Sequence, residues 1–146
     1  MQKQKDGFYA ATRIRHYILM KNILSSFNMC SGLVLIIFSA FYWPVSLPGD
    51  LVSAMILIFS IFFTLSMGFG MIISGISLLR NLTKNVYFSE LFAVFSSLGL
   101  LVVTMLFNRG EEINDLLISV IIYGGVVSVN LLLFFLSMKI AKLSSL

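Results

Sequence analysis

Apolar residues fill four runs along the chain, at positions 23–42, 51–79, 91–107 and 116–138, and short polar stretches separate them. The second run, Leu51–Leu79, contains 29 residues without one charged side chain, punctuated by Ser60, Thr64, Ser66, Gly68, Gly70, Ser74, Gly75 and Ser77. As a helix it reaches roughly 43 Å, more than a hydrocarbon layer of roughly 30 Å. It is therefore expected to tilt, to bend near its glycines, or to run past the membrane surface. The third run sits at the short end of what crosses a bilayer. Three connectors are predicted at 43–50, 80–90 and 108–115. The first carries two prolines and a glycine that stop a helix, the second Arg80 and Lys84, and the third Glu111, Glu112 and Asp115. Connectors this short force successive helices to be antiparallel neighbours. The pattern predicts an all-α integral membrane protein, an up-down-up-down bundle of four transmembrane helices.

Residues 1–22 form a basic flank in which aromatics and cations interleave: Phe8, Tyr9, Arg13, Arg15, His16, Tyr17 and Lys21. On a helical wheel Ala11, Ile14 and Ile18 share a face, so a short amphipathic helix at an anionic membrane surface is expected. A plain topology-fixing flank fits the same residues. The first apolar run is read as an uncleaved anchor, because it exceeds a signal-peptide core and Phe38-Ser39-Ala40 is a poor cleavage site. Tyr42 and Trp43 suit an interfacial aromatic belt, and 139–146 reads as a cytoplasmic tail.

Composition strengthens the membrane reading. The 146 residues are 59% hydrophobic and only 11% charged, against about 25% charged in ordinary soluble domains. The net charge of +4 would suggest nucleic acid in a soluble protein, but here the cations flank apolar runs. That placement reads as topology and not as direct nucleic-acid binding. With the amino terminus inside, Lys3, Lys5, Arg13, Arg15, Lys21, Arg80, Lys84, Lys139 and Lys142 face the cytoplasm, and only Arg109 faces out. The expected location is thus a bacterial inner membrane, with both termini cytoplasmic. Cys30 is the single cysteine and His16 the single histidine, so neither an intramolecular disulfide nor a Cys/His metal set can be assembled. No cofactor is indicated.

Enzymology needs converging nucleophiles, acids and bases, and none of the four predicted spans contains an Asp, Glu, Lys, Arg or His. A non-enzymatic protein is expected, and a proton-coupled exporter is disfavoured, since intramembrane carboxylates mark proton relays. An exporter of the small multidrug type would hold a carboxylate in its first helix, where this chain has none. Glu90 falls at the predicted start of the third span, where a carboxylate suits the positive end of the helix dipole.

What remains is packing chemistry. Ser66, Gly70 and Ser74 recur every four residues beside Thr64, Gly68 and Gly75, and Gly124 with Ser128 repeats the spacing near Gly125. In lipid, helix association depends on close backbone approach and interhelical hydrogen bonds, which small residues four apart allow. The rows either hold the bundle together or form an exposed face for a homo-oligomer or pore. Asn28 and Asn130 are the two amides within spans. Lying about five and eight residues deep in their helices, they are expected to meet within the chain, across subunits, or as a polar ring, in bonds worth about 0.6 to 2 kcal/mol. Arg13, Arg15, Lys21, Arg80 and Lys84 are candidates for contact with the membrane surface or a cytoplasmic protein.

The entry Thr12-Arg13-Ile14-Arg15, with Lys21, Ser25-Ser26-Phe27 and Ser39 beyond, resembles SLATT-type membrane modules, small effectors of bacterial defence systems. The resemblance covers about thirty residues, and those modules have two spans where this chain has four. It implies an oligomeric membrane protein whose activation damages or depolarises the inner membrane. The expected function is a sensor, pore or effector subunit. Two alternatives stand: an immunity protein against a pore-forming bacteriocin, and an accessory subunit or small facilitator.

Overall fold

The computed structural model describes residues 2–41, 48–107 and 113–143, with side chains described for 12, 14–41, 48–106 and 117–143. Four helices follow one another: α1 Gln2–Phe41, α2 Leu51–Leu79, α3 Thr83–Phe107 and α4 Ile113–Leu143. Each contains a stretch long and apolar enough to cross a membrane: Ile14–Phe41, Leu51–Leu79, Thr83–Leu106 and Leu117–Leu143. The protein is an all-α, multi-pass membrane bundle. The Tyr42–Trp43 belt, Arg109 with the acidic turn at 108–112, and the last residues of the tail lie outside the described residues.

Several boundaries differ from the sequence reading, among them those of α4, which runs Ile113–Leu143 and takes in the end of the turn expected at 108–115 and the start of the tail expected at 139–146. The flank expected as a separate short helix joins the first span in one 40-residue helix, since nothing after Gly7 interrupts it. The stretch 80–90 is not a connector either. It is a three-residue turn followed at once by α3, because it contains no glycine or proline to stop a helix. A polar side chain is no barrier to the helix here, for a hydroxyl can return its bond to the helix itself. Ser89 Oγ does so, donating to the Asn85 carbonyl at 2.6 Å.

Local chemistry fixes the α2 ends. Asp50 caps the amino terminus, its carboxylate accepting from Ser53 N–H at 2.8 Å. That bond holds the Asp50 carboxyl below its ordinary value of 3.8. At the other end Asn81 takes a left-handed φ of 57°. Leu82 N–H donates to the Ser77 carbonyl at 2.9 Å, and Asn81 N–H to that of Leu78 at 3.2 Å. This is a Schellman turn with asparagine where glycine usually sits. Lys21 Nζ donates to Asn81 Oδ1 at 2.6 Å and ties α1 to the turn.

The helices pack in chain order. Gly32 meets Gly68, and Ser25 meets Gly75, so α1 and α2 run antiparallel. Gly70 meets Ser89 and Ala93, while Gly99 meets Phe63, so α2 and α3 do the same. Tyr87 and Phe134 bring α3 against α4, with ring centroids 5.9 Å apart. Among the described residues the first and last helices meet toward the terminal end, where Tyr17 Oη donates to the Ile140 carbonyl at 3.3 Å and Asn28 Nδ2 reaches Ser137 Oγ at 3.5 Å. The exterior is apolar, with Ile14, Val34, Phe62, Ile73, Phe95 and Ile121 all exposed. Serines and amides fill the interior: Ser25, Asn28, Ser74, Ser97 and Ser137 are all buried. Lipid as solvent explains this inversion, since backbone and polar groups must find partners inside.

Candidate functional site

The interior at the terminal end converges on Glu90. This residue lies two turns into α3 and is 1% exposed. Its Oε1 accepts from Ser74 Oγ of α2 at 2.6 Å, from Asn28 Nδ2 of α1 at 2.7 Å and from Ser137 Oγ of α4 at 2.7 Å. Three helices therefore each contribute one donor to a single carboxylate oxygen carried by the fourth. Asn28 Nδ2 also reaches Ser74 Oγ at 3.3 Å. Ser25, one turn before Asn28, donates to the Gly75 carbonyl at 2.6 Å and locks α1 on α2 beside the hub.

This overturns two readings. A carboxylate does lie within a membrane-spanning helix, and it does not serve as a helix cap. The error follows from the missed start of α3: once the helix is extended back to Thr83, Val86, Glu90, Ala93 and Ser97 share one buried face. The argument from absent intramembrane carboxylates against ion-linked function falls with it. Among the described residues no ion pair reaches Glu90. Lys21 is turned to Asn81, and Arg80, Lys84 and Lys139 are exposed.

The two asparagines do not meet. Asn28 belongs to the hub, whereas Asn130 Nδ2 donates to the Val126 carbonyl at 3.1 Å and contacts Met67 Sδ at 3.2 Å. Both side-chain carbonyl oxygens, Asn28 Oδ1 and Asn130 Oδ1, are buried without a hydrogen-bond partner. A buried acceptor left unpaired costs about 1 to 3 kcal/mol.

Small residues on α2 and α4 fare differently. A Cβ on Gly68 would lie 2.8 Å from the Gly32 carbonyl oxygen, one on Gly75 2.7 Å from that of Ser25, and one on Gly70 2.9 Å from that of Ser89. Ser66 and Ser74 are buried in the same contacts, and Thr64 Oγ1 returns its bond to the Ser60 carbonyl. The α2 row is thus spent on α1 and α3 within one chain. On α4, a Cβ at Gly124 or Gly125 would meet nothing within 4 Å, and exposed Ser128 bonds only to the Gly124 carbonyl.

Away from the termini the bundle opens. A cavity of about 660 Å³ between α1 and α4 is lined by Cys30, Val34, Met67, Gly125, Val126 and Asn130 among others. It shares Leu35, Met67, Ile122 and Val126 with one of about 390 Å³. That cavity in turn shares Leu57, Ser60 and Tyr123 with one of about 410 Å³ that reaches Pro48. Together they form a cleft that begins near the α1–α2 connection and ends around Asn130 and Leu133, the latter four residues or roughly 6 Å of helix from Ser137. Of the surface cations, the Arg13 side chain lies outside the described residues, and Arg15 is exposed.

Sequence reasoning missed Glu90, Ser137 and Ser25. The signal for Ser25 was present, because Ser25, Asn28, Gly32 and Ser39 recur at helical spacing on α1. Ser137 gave none, lying among large apolar residues. The chain matches no family model, no curated protein and no solved structure.

Proposed function

We propose that this chain is a non-enzymatic protein of a bacterial inner membrane, with both termini cytoplasmic, that works as a sensor or pore-type effector subunit switched at Glu90. The observation that carries the reading is the convergence of all four helices on one buried carboxylate without a cationic partner among the described residues. Such a group is costly in lipid, and it marks ion or proton pathways far more often than it serves packing. Three donors from three helices on Glu90 Oε1 hold the terminal end shut, where α1 and α4 meet among the described residues. The cleft on the far side supplies a path that ends at this closure. The cytoplasmic assignment rests on the cations, nine of ten on one side. The defence setting rests on the SLATT resemblance of the chain's entry. Homo-oligomerisation finds its support in the unoccupied Gly124, Gly125 and Ser128 face of α4 and no longer in α2.

The full chain in liposomes loaded with a pH-sensitive dye tests the switch. The expected result is proton leakage that changes with pH and is fixed at one level by Glu90→Gln. Leakage equal to that of protein-free vesicles at every pH from 5 to 9 would overturn it. Native-detergent mass tests assembly, and a strict monomer would defeat that part.

One observation favours a second reading as an immunity protein. The cleft opens sideways between α1 and α4 and has room for a foreign apolar helix. Protection of cells against one pore-forming toxin, with no toxicity on overproduction, would select that reading.

A further inference from the structure

We infer that the Glu90 hub is a binding site for one dehydrated alkali-metal cation, which enters from the cleft and competes there with a proton. The inference rests on the reading of Glu90 as a switch and names the species that operates it.

The hydrogen-bond inventory of the hub is one-sided. Ser74 and Ser137 each own a single hydroxyl proton, and each gives it to Glu90 Oε1. Asn28 gives an amide proton to the same atom. The amide's second proton faces the two hydroxyls, with Asn28 Nδ2 3.3 Å from Ser74 Oγ and 3.5 Å from Ser137 Oγ. Every donor is thereby committed, and what is left are acceptor sites: the hydroxyl lone pairs that the amide does not take, the rest of the carboxylate, and Asn28 Oδ1, which is 0% exposed and has no partner. A set of oxygens with lone pairs free and no donor left asks for a positive guest. Hard oxygen donors suit a hard cation. One carboxylate and three neutral groups balance a single charge, whereas a divalent ion would leave a net positive charge in lipid.

The approach to the hub repeats the pattern. Asn130 lines the cleft near its terminal end, is 3% exposed, and also leaves its Oδ1 unpartnered. The two orphaned carbonyl oxygens of the interior thus lie in sequence, one at the end of the cleft and one at the carboxylate. Buried Leu133 lies between Asn130 and Ser137 on α4 and lines the cleft. It is the apolar barrier an ion must pass.

Competition with a proton follows from the surroundings. The side chains bonded to Glu90 from the other three helices, Asn28, Ser74 and Ser137, do not titrate. The charged groups nearest in sequence are Lys21 on α1, bonded to Asn81, Arg80 at the end of α2, Lys84 on α3 and Lys139 on α4, the last three exposed. Glu90 is therefore the single group at the hub whose protonation can expel the cation.

The test is the thermal unfolding midpoint of the purified full chain in detergent, with NaCl, KCl or LiCl replacing choline chloride at constant ionic strength. At pH 8 the midpoint is expected to rise saturably with at least one alkali cation and not with choline. The cation concentration giving half the rise should increase toward tenfold for each pH unit lowered once Glu90 binds a proton. Glu90→Gln, which keeps the shape of the side chain, should abolish the rise. Asn28→Ala should shift it at least tenfold to higher concentration, and equilibrium uptake of radioactive sodium by the native chain gives the same answer without any variant. Midpoints identical in choline and in all three alkali salts would overturn the site. If vesicle leakage still depends on pH and on Glu90, that result sinks the cation alone and leaves the protonation switch. If neither effect is seen, both fall.

Discussion

The terminal half of the bundle and the half beyond Asn130 use the same vocabulary of glycine, serine and asparagine, yet one is closed and the other open. In the closed half each glycine of α2 faces a backbone carbonyl of a neighbour, and each polar group but one finds a partner. In the open half Gly124 and Gly125 face nothing, Ser60 and Thr64 bond back to their own helix, and cavities stand between the helices. A row of small residues is therefore permission for close approach and not its cause. What converts permission into packing here is a shared polar partner, Glu90, which all four helices must reach at once.

The contrast can be broken most severely at the α1–α2 crossing. Gly68→Leu and Gly75→Leu insert side chains where even a Cβ meets a carbonyl oxygen at 2.8 Å and 2.7 Å. Each is expected to destabilise by about 3 kcal/mol or more, read as loss of monodisperse protein and a fall in unfolding midpoint. Next comes Glu90→Ala, which leaves three donors without their common acceptor and should cost about 2 kcal/mol. An unchanged midpoint would mean that the hub does not close the terminal end. Asn130→Leu sharpens the contrast from the other side. It removes an unpaired acceptor and should be neutral or stabilising by about 1 kcal/mol, while a large loss would show that Asn130 belongs to the closed half. The smallest effect is expected for Gly124→Ala and Gly125→Ala. With room for a Cβ they should leave stability level or raise it by under about 1 kcal/mol. A drop confined to conditions that favour association would place a second copy on that face.

The fold was legible because lipid demands it: four uncharged runs and three short connectors admit few other solutions. The boundary at 80–90 was not, because polar side chains near a membrane surface look alike in a loop and in a helix that protrudes or folds its hydroxyls back. That single misreading hid the site. Glu90 read as an end-cap has no reason to attract Ser137, 47 residues away, whereas Glu90 inside a helix must attract something. The α2 row was recognised as a packing surface, but its partners depend on which helix lies alongside, and spacing does not carry that. Asn28 and Asn130 illustrate the same limit, since similar depth does not imply a common azimuth around the bundle.

The three-residue turn between α2 and α3 also bears on how the chain is made. Glu90 burdens α3 with a carboxylate when that helix must leave the translocation channel for lipid, and isolated charges of this kind resist insertion by roughly 2.5 to 3.5 kcal/mol at mid-helix. Ser74 is only sixteen residues upstream, across a turn already locked by its Schellman bonds. The helical hairpin can therefore carry its polar pair into the bilayer as one unit. Asn28, already synthesised, is at hand as a second donor, and Ser137 completes the set when the last helix arrives. Order of synthesis thus matches order of need, and a chain whose α2–α3 turn was lengthened would face its insertion penalty unassisted.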